Sequence, residues 1–490
     1  MTLLIKNGKI LNFDQNNKLD VLISADKISA IGNFYNKKAD EIIDAEGAYI
    51  SYGFTDIYNE TDHNLKIFSK DLNQITKEGI TNVLIGHSGV SLVPLLTLPF
   101  VPLKYYSSYY GANSNWQNLS DFFNFLNKNK LSFNLGTFIG FKTLKHIIVG
   151  ENLRLMTKKE FYVFLDMLKN LLKDGAGGFS LDWESVYLDE ISLKQIEEIS
   201  KVLSKNSKIL SVTLPASENI EKIIDDLLKI VLETNVRLLL NNYLSHYLTP
   251  EKNIHLLKKI DNFYPNVFLT FNSKVLEQEM LYKFLPAHIK KNNFDEILKN
   301  IFDPWIMKKN LEAIPEVNPE KLFIFETEIN PKHQFLKNKN LKEIMEIYNL
   351  TNPQEALLKL MQIVKLRAIT FYEDINLDVL IDVLLYKNSL VSSGWLYLNK
   401  NNIFLDFCNL VLEHKLMPVK EMIKKISFLP AQLLNLKDYL EFKIGNQADL
   451  VGFNIVDNQI EIKFVIVSGK ITFLNNQFKN LNGQPLKLKN

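Results

Sequence analysis

Acidic and imidazole side chains lie close together in the sequence, just after the first apolar segment that follows the N-terminal fifty residues. Glu60, Asp62 and His63 lie within four residues of one another, directly after the segment Gly53–Tyr58. Carboxylate and imidazole groups bind divalent metals and transfer protons in hydrolytic sites. The spacing indicates a candidate metal or acid–base site, against the alternative that these are partly exposed polar residues at a strand end.

A second acidic group follows the apolar segment Gly178–Leu181. It contains Asp182, Glu184, Asp189 and Glu190. Two carboxyl groups held close together could act as an acid and a base. A run of acidic residues is more often a solvated loop, and we favour that interpretation here.

Other histidines lie near the ends of apolar segments. His87 is followed by Ser88, and alternation along a strand predicts that these two side chains point to opposite faces. His246 lies four residues beyond Asn242 and reaches the same end only if the loop folds back. The sequence leaves open whether His63, His87 or His246 contributes to a site.

The charge balance and cysteine content exclude several functional classes. The chain has 57 basic and 55 acidic residues, a net charge of +2, so it lacks the basic surface that nucleic acid or an anionic membrane would need. Cys408 is the single cysteine, which excludes an internal disulfide and a cysteine-rich zinc site, and we expect it to be a small core residue. The N-terminal residues lack a secretory signal pattern and no apolar run is long enough to span a membrane, so we expect a cytoplasmic protein.

Both ends of the chain are rich in short β-type segments. Leu3–Leu11 predicts two strands joined by a tight turn at Asn7-Gly8, and Phe464–Ile471 predicts another hairpin. Two β-rich ends around a long middle indicate one small β-domain formed by residues 1–50 and 440–490.

The middle of the chain, residues 51–439, alternates apolar strands with amphipathic helices. Ser192–Ser204 is the clearest helix, with Ser192 as its N-cap. Eight strands are predicted, the number that a closed parallel (β/α)8 barrel needs: Gly53–Tyr58, Thr81–Gly86, Phe133–Gly140, Gly178–Leu181, Ile209–Leu214, Val236–Asn242, Asn266–Asn272 and Ser389–Ser393. Residues 273–388 form a long gap with helices of their own, which we interpret as an insertion covering the barrel mouth, the end where the strands finish and where function is expected.

The order of short motifs along the whole chain resembles the N-acyl-D-amino-acid deacylase (D-aminoacylase) family of the amidohydrolase superfamily. The matching segments are Leu3–Ile10, Ile43–Gly47, Gly53–Asp56, Gly79–Val83, Gly86–Gly89, Ser91–Pro94, Gly140–Leu144, Leu429–Gln432, Gln447–Val451 and Val465–Lys470. The resemblance implies an α/β fold: a TIM-like barrel of the amidohydrolase type with a small β-sandwich domain formed by both termini. It also implies zinc-dependent hydrolysis of the amide bond of N-acylated D-amino acids, with an aspartate on the last strand as the general base.

The positions that match the family's zinc ligands and base carry other residue types here. The six positions carry Tyr58, Glu60, Ser88, Leu214, Asn242 and Ser393. In that order, they match the two histidines of the family's Asp-x-His-x-His motif, its ligand cysteine, the histidines of its fifth and sixth strands, and the base on its eighth strand. The histidine after the third strand is matched by Phe141 and the arginine after the fifth strand by Ala216, while the acidic Glu218 still matches.

These replacements lead us to expect a degenerate family member. Zinc is bound by thiolate, imidazole or carboxylate groups, and among the ligand positions only Glu60 is a competent anion. A serine at 393 cannot accept a proton from water near neutral pH without a base of its own. We expect no cofactor and a catalytically inactive protein that binds a small molecule in the barrel mouth or a protein partner, with no nucleic acid or membrane partner. The alternative is a hydrolase of amide C–N bonds that uses a rebuilt site at Glu60, Asp62 and His63 with zinc, or a metal-free mechanism. The sequence does not give the oligomeric state.

Overall fold

The computed structural model describes most of the chain. The described residues are 2–11, 18–34, 36–62, 68, 70–94, 116–150, 154–215, 217–244, 247–273, 277–290, 294–327, 331–366, 368–372, 376–394 and 402–488. His63, Ala216 and His246, which the sequence analysis singled out, lie outside these ranges.

The described strands are numbered in chain order. They are β1 (Thr2–Ile10), β2 (Leu19–Ser24), β3 (Lys27–Gly32), β4 (Glu41–Asp44), β5 (Tyr49–Tyr52), β6 (Phe54–Asp56), β7 (Ile80–Ile85), β8 (Asn134–Thr137), β9 (Ile139–Gly140), β10 (Gly178–Asp182), β11 (Ile209–Thr213), β12 (Arg237–Asn241), β13 (Val267–Phe271), β14 (Glu277–Met280), β15 (Leu322–Thr327), β16 (Ala368–Tyr372), β17 (Ser389–Val391), β18 (Leu450–Val456), β19 (Gln459–Val467), β20 (Lys470–Leu474) and β21 (Gln477–Phe478).

The described α-helices are numbered in the same way. They are α1 (Leu119–Lys128), α2 (Phe141–Val149), α3 (Lys158–Asp174), α4 (Glu184–Tyr187), α5 (Leu193–Lys205), α6 (Ile220–Thr234), α7 (Pro250–Asp261), α8 (Ala287–Lys290), α9 (Phe294–Phe302), α10 (Pro304–Asn310), α11 (Leu341–Tyr348), α12 (Pro353–Ile363), α13 (Leu377–Leu385), α14 (Ile403–Glu413), α15 (Val419–Ile426) and α16 (Phe428–Leu434). Short 3₁₀ helices span Lys70–Glu78, Leu281–Phe284, Leu311–Ala313, Pro331–Leu336 and Lys437–Tyr439.

The eight predicted barrel strands are confirmed and close into a parallel barrel. β6, β7 and β8 form one sheet, and β9 to β13 with β17 form another. The third strand is interrupted at Phe138, whose N–H donates to the carbonyl of Ile85 (2.8 Å), so β8 pairs with β7 and β9 pairs with β10. A parallel bridge between Asn59 and Gly394 joins the first strand to the eighth and completes the ring.

The barrel helices form where the sequence pattern places them. α5 begins with the predicted Ser192 cap, whose side chain accepts from the N–H of Gln195, and Gln195 returns the bond to complete a capping box. Its apolar face is buried, as for the other barrel helices. The part of the chain that the structure describes contains no helix long and apolar enough to cross a membrane.

The lower part of the barrel interior is a packed apolar core. Side chains from successive strands meet there, including Ile57, Leu84, Phe138, Leu239 and Phe268, all at most 2% exposed. The same cluster extends to Leu429 and Leu433 of α16 and to Leu486 and Leu488 near the C-terminus, which cover the end of the barrel opposite the mouth. This part of the interior is therefore filled rather than open.

The two ends of the chain fold together as predicted, but one of the two predicted hairpins does not form. β1 to β5 and β18 to β21 form one nine-stranded assembly, the β-sandwich part of the fold, over a shared apolar core. Leu3–Leu11 does not turn at Asn7-Gly8: β1 runs continuously through both residues and pairs with β2 across a register shift. Asn7 adopts φ 56°, so the left-handed residue that favours a turn makes a bulge instead. The Phe464–Ile471 hairpin is confirmed as β19 and β20.

The gap before the eighth barrel strand folds as a separate layer. Its helices, which the sequence indicated, include α11 and α12. A three-stranded sheet of β14, β16 and β15 packs with them. The sequence analysis did not predict this sheet. The boundaries near residues 50, 273, 388 and 440 stay predictions.

Candidate functional site at the barrel mouth

The seam between the first and eighth strands is held by a buried polar group. The Ser393 hydroxyl donates to Asp56 Oδ2, and the Ser393 N–H donates to Asp56 Oδ1 (3.2 Å). Asn59 Nδ2 donates to both Asp56 Oδ2 and Ser393 Oγ, each at 3.0 Å. Burial raises the pKa of Asp56 to about 6, against the opposing effect of the Ser393 and Asn59 hydrogen bonds. Ser393, which the sequence analysis matched to the family's general base, is thus a hydrogen-bond donor to a carboxyl group.

A second group, the mouth cluster, consists of Tyr58, Glu60, Ser88 and Thr213. The Ser88 hydroxyl donates to Glu60 Oε1 and lies 2.9 Å from Thr213 Oγ1 and 3.3 Å from the Tyr58 hydroxyl. Burial, reinforced by the Glu60 carboxylate, holds the pKa of Tyr58 well above its usual value. Tyr58 is therefore a neutral phenol near pH 7, and Glu60 is engaged by a neighbouring side chain.

His87 lies deeper in the barrel and, contrary to the prediction from strand alternation, faces the same interior as Ser88. Its ring is completely buried, packs edge-on against Tyr58 with centroids 4.9 Å apart, and places Nδ1 3.0 Å from Ser211 Oγ. β7 ends at Ile85, and both Gly86 (φ 81°) and Ser88 (φ 52°) adopt left-handed backbone. The strand period of two therefore does not apply to these residues.

The remaining predicted positions spread over different surroundings. Leu214 is 2% exposed and packs in the largest apolar cluster. Asn242 is half-buried with φ 53°, and its neighbour Asn241 is the residue that points inward, with Nδ2 2.7 Å from Ser211 Oγ. Asp62 is completely buried and accepts the N–H of Gly86 (3.1 Å).

The acidic stretch after the fourth strand is buried, so the solvated-loop interpretation was wrong for most of it. Asp182, Glu184 and Glu190 are 2%, 8% and 4% exposed, whereas Asp189 is exposed. Lysine partners approach each of the three from α2 and from the insertion. The sequence carried one signal of this arrangement: Lys142 and Lys145 stand among the apolar residues of the short helix Phe141–Val149.

The described residues do not provide the donors that zinc requires. They contain no group of three or more His, Cys, Asp or Glu side chains arranged to hold a metal ion. At the positions that the sequence analysis matched to the family's ligands, Glu60 is joined by a phenol, a hydroxyl, an amide and an aliphatic side chain, whereas zinc sites are built from imidazole, thiolate and carboxylate. This donor set does not fit a zinc ion.

Comparison with known proteins finds deacylases of N-acylated D-amino acids among the similar sequences. No protein-family model matches the sequence. The chain is 23% identical to a D-aminoacylase of Alcaligenes xylosoxydans xylosoxydans over 228 residues, 46% of each chain, and 26% identical to an N-acyl-D-glutamate deacylase of the same organism over 167 residues, 33% of each chain. The match thus spans less than half the length of these curated relatives.

The fold extends the similarity to the whole chain. The structure of an N-acyl-D-glutamate deacylase from Bordetella bronchiseptica, complexed with zinc and a phosphonate inhibitor, superposes with a TM-score of 0.79 over 99% of both chains at 18% identity. The chain is therefore similar in sequence to D-aminoacylases over part of its length, and it has the barrel and β-sandwich fold of their solved structures.

Proposed function

We propose that this protein is a non-catalytic amidohydrolase homologue that binds a small molecule in its barrel mouth. The observation that carries the proposal is the hydrogen-bonded mouth cluster. Its one anion, Glu60, accepts from Ser88, and Tyr58 stays neutral. Amide hydrolysis needs an electrophile for the carbonyl and a base for the attacking water. The phenol and the hydroxyls of this cluster are neither, and its one carboxylate is not accompanied by an electrophile within the cluster.

The Ser393 seam supports the same conclusion. A general base must accept a proton from water, but the Ser393 hydroxyl already donates to the buried Asp56 carboxyl. Asp56 itself is completely enclosed, so it does not replace the missing base at a surface that a substrate can reach.

The experiment is a hydrolysis assay with N-acyl-D-amino acids, with and without added zinc, in parallel with an active D-aminoacylase. We expect no zinc-dependent turnover above the rate in buffer. Zinc-dependent turnover by this protein that is lost in Glu60→Gln would overturn the proposal.

A hydrolase with a rebuilt site is the second candidate. It is favoured by one observation: Glu60 and Asp62 are both buried at the same strand end, at 4% and 0% exposure. Two buried carboxyl groups near each other are a typical feature of catalytic sites. On this alternative the purified protein contains a stoichiometric transition metal, and Glu60→Ala removes the metal and the activity together. Metal-free protein that is indifferent to chelator contradicts the metal-dependent form.

A further inference from the structure

Six charged side chains are buried together at the mouth, beside the ends of the third and fourth strands. We call them the charged cluster: Lys142, Lys145, Asp182, Glu184, Glu190 and Lys290. Their side chains are between 3% and 11% exposed. Lysine, aspartate and glutamate are almost never buried unless paired, and their burial opposes folding. Such a concentration at the functional end of a barrel points to a role other than stability.

The cluster links the barrel to the insertion through lysine–carboxylate ion pairs and one backbone hydrogen bond. Lys142 Nζ lies 3.8 Å from Asp182 Oδ2, and Asp182 Oδ1 accepts the N–H of Glu184 (3.1 Å). Lys290, from α8 of the insertion, donates to Glu184 Oε1. Lys145 Nζ lies 3.4 Å from Glu190 Oε2. Glu184 is therefore the point at which the barrel rim and the insertion meet.

One oxygen of this cluster has no donor. Glu184 Oε2 is buried and accepts no hydrogen bond from any residue that the structure describes. An ionised carboxylate has about four lone-pair positions, so Lys290 on Oε1 leaves Oε2 available. Leaving a buried charged acceptor unsatisfied costs more than leaving a neutral one unsatisfied. A donor from outside the chain would complete the network.

The acceptor itself indicates what kind of donor fits. The charged cluster is balanced, with three carboxylates and three lysines, and the buried oxygen without a donor belongs to a carboxylate. A donor that carries a positive charge forms the stronger hydrogen bond to such an oxygen. A divalent metal does not suit the position because lysine ammonium groups lie close by and the described residues offer no group of three ligands. A primary ammonium carries one charge and up to three N–H donors, and it forms short, strong bonds to carboxylate.

We propose that the mouth binds a small molecule with a free primary ammonium group, which donates to Glu184 Oε2. The inference rests on the proposed function, since it takes the mouth to be a ligand site, and it narrows the ligand class. A free amine fits this position, whereas an N-acylated amine has no positive charge and offers one N–H.

The test uses matched probes on the full-length protein. Free D- and L-amino acids and simple primary amines are compared with their N-acetyl counterparts by thermal shift and calorimetric titration, with potassium and magnesium chloride as further arms. We expect at least one free amine to raise the melting temperature in a saturable way and its N-acetyl counterpart to bind at least tenfold more weakly. The comparison is made on the wild-type chain, so it does not depend on any variant folding.

Glu184→Gln locates the site, with Glu233→Gln, at an exposed position of α6, as the matched control. Glu184→Gln is expected to weaken amine binding at least tenfold, and Glu233→Gln to leave it unchanged. Absence of saturable binding by every free amine, equal binding of N-acetyl counterparts, stabilisation by the inorganic cations alone, or full binding by Glu184→Gln would each overturn the inference. None of these results requires turnover, so the inference and the proposed lack of catalysis fail independently.

Discussion

Replacing Ser393 with alanine separates a structural role of this residue from a catalytic one. The substitution removes the hydroxyl that donates to Asp56 Oδ2 and accepts from Asn59 Nδ2, while the N–H of residue 393 still reaches Asp56 Oδ1. The seam between the first and eighth strands loses one hydrogen bond to a buried carboxylate. A residue retained for catalysis usually costs stability, so its removal would leave stability unchanged or raise it.

The size and pH dependence of the effect follow from the state of Asp56. A hydrogen bond to a charged group contributes about 2 kcal/mol and one to a neutral group about 1 kcal/mol. The difference of about 1 kcal/mol, at 1.36 kcal/mol per pKa unit, means that loss of the bond raises the pKa of Asp56 by about 0.7 unit. The pKa of Asp56 is about 6 in the wild type. At pH 8 we expect Ser393→Ala to lower the free energy of unfolding by about 2 kcal/mol. At pH 4.5 Asp56 is protonated in both proteins, so the loss falls to about 1 kcal/mol, the value for a neutral bond.

Urea unfolding followed by tryptophan fluorescence at the two pH values measures this difference. Ser392→Ala is the matched control because Ser392 Oγ lies 3.4 Å from the carbonyl of Phe271 and does not contact Asp56 among the described contacts. The control should show a small, pH-independent effect. A Ser393→Ala protein as stable as the wild type at pH 8, or one whose loss is the same at both pH values, would refute a donor role for this hydroxyl.

Two further buried groups give pH-dependent predictions. Burial lowers the pKa of Lys425 to about 7, and its amine donates to the carbonyl of Tyr386 (2.6 Å) and to Ser389 Oγ (2.9 Å). The unfolded lysine titrates near 10.5, so this group should add up to about 5 kcal/mol to the free energy of unfolding as pH rises from 7 to 10.5. The melting temperature of Lys425→Met should lack that rise. A pH dependence parallel to that of the wild type would contradict the lowered pKa. Burial also raises the pKa of Asp449 to about 6 from 3.8, so its contribution of about 3 kcal/mol is present below pH 4 and lost as pH rises through 6. The Tyr439 hydroxyl donates to this carboxyl group. Asp449→Asn should reduce the change of melting temperature with pH between pH 4 and 7. An unchanged pH dependence would count against the raised pKa.

The barrel could be predicted from the sequence because its strands are short apolar runs separated by amphipathic, capped helices. Ser192 with Gln195 marks a helix start that the structure reproduces. The prediction failed where local preference and tertiary pairing disagree. Asn7-Gly8 has the composition of a tight turn, but pairing with β2 and β4 keeps β1 extended and confines the left-handed residue to a bulge.

The site was less predictable because it depends on backbone geometry and burial rather than residue type. His87 and Ser88 share one face since positive φ values at Gly86 and Ser88 end the strand alternation. The burial of Glu184 depends on contact with Lys290, which lies more than a hundred residues away in the insertion. Sequence spacing carries no information about such a contact.

We propose that the barrel mouth does not hold zinc. Crystals grown with excess zinc and measured on both sides of the zinc absorption edge test this most directly, because anomalous scattering locates the ion independently of activity. We predict no anomalous peak among Tyr58, Glu60, Ser88 and Ser393. A strong peak there, with side-chain donors about 2.0–2.3 Å from the ion, would contradict the account.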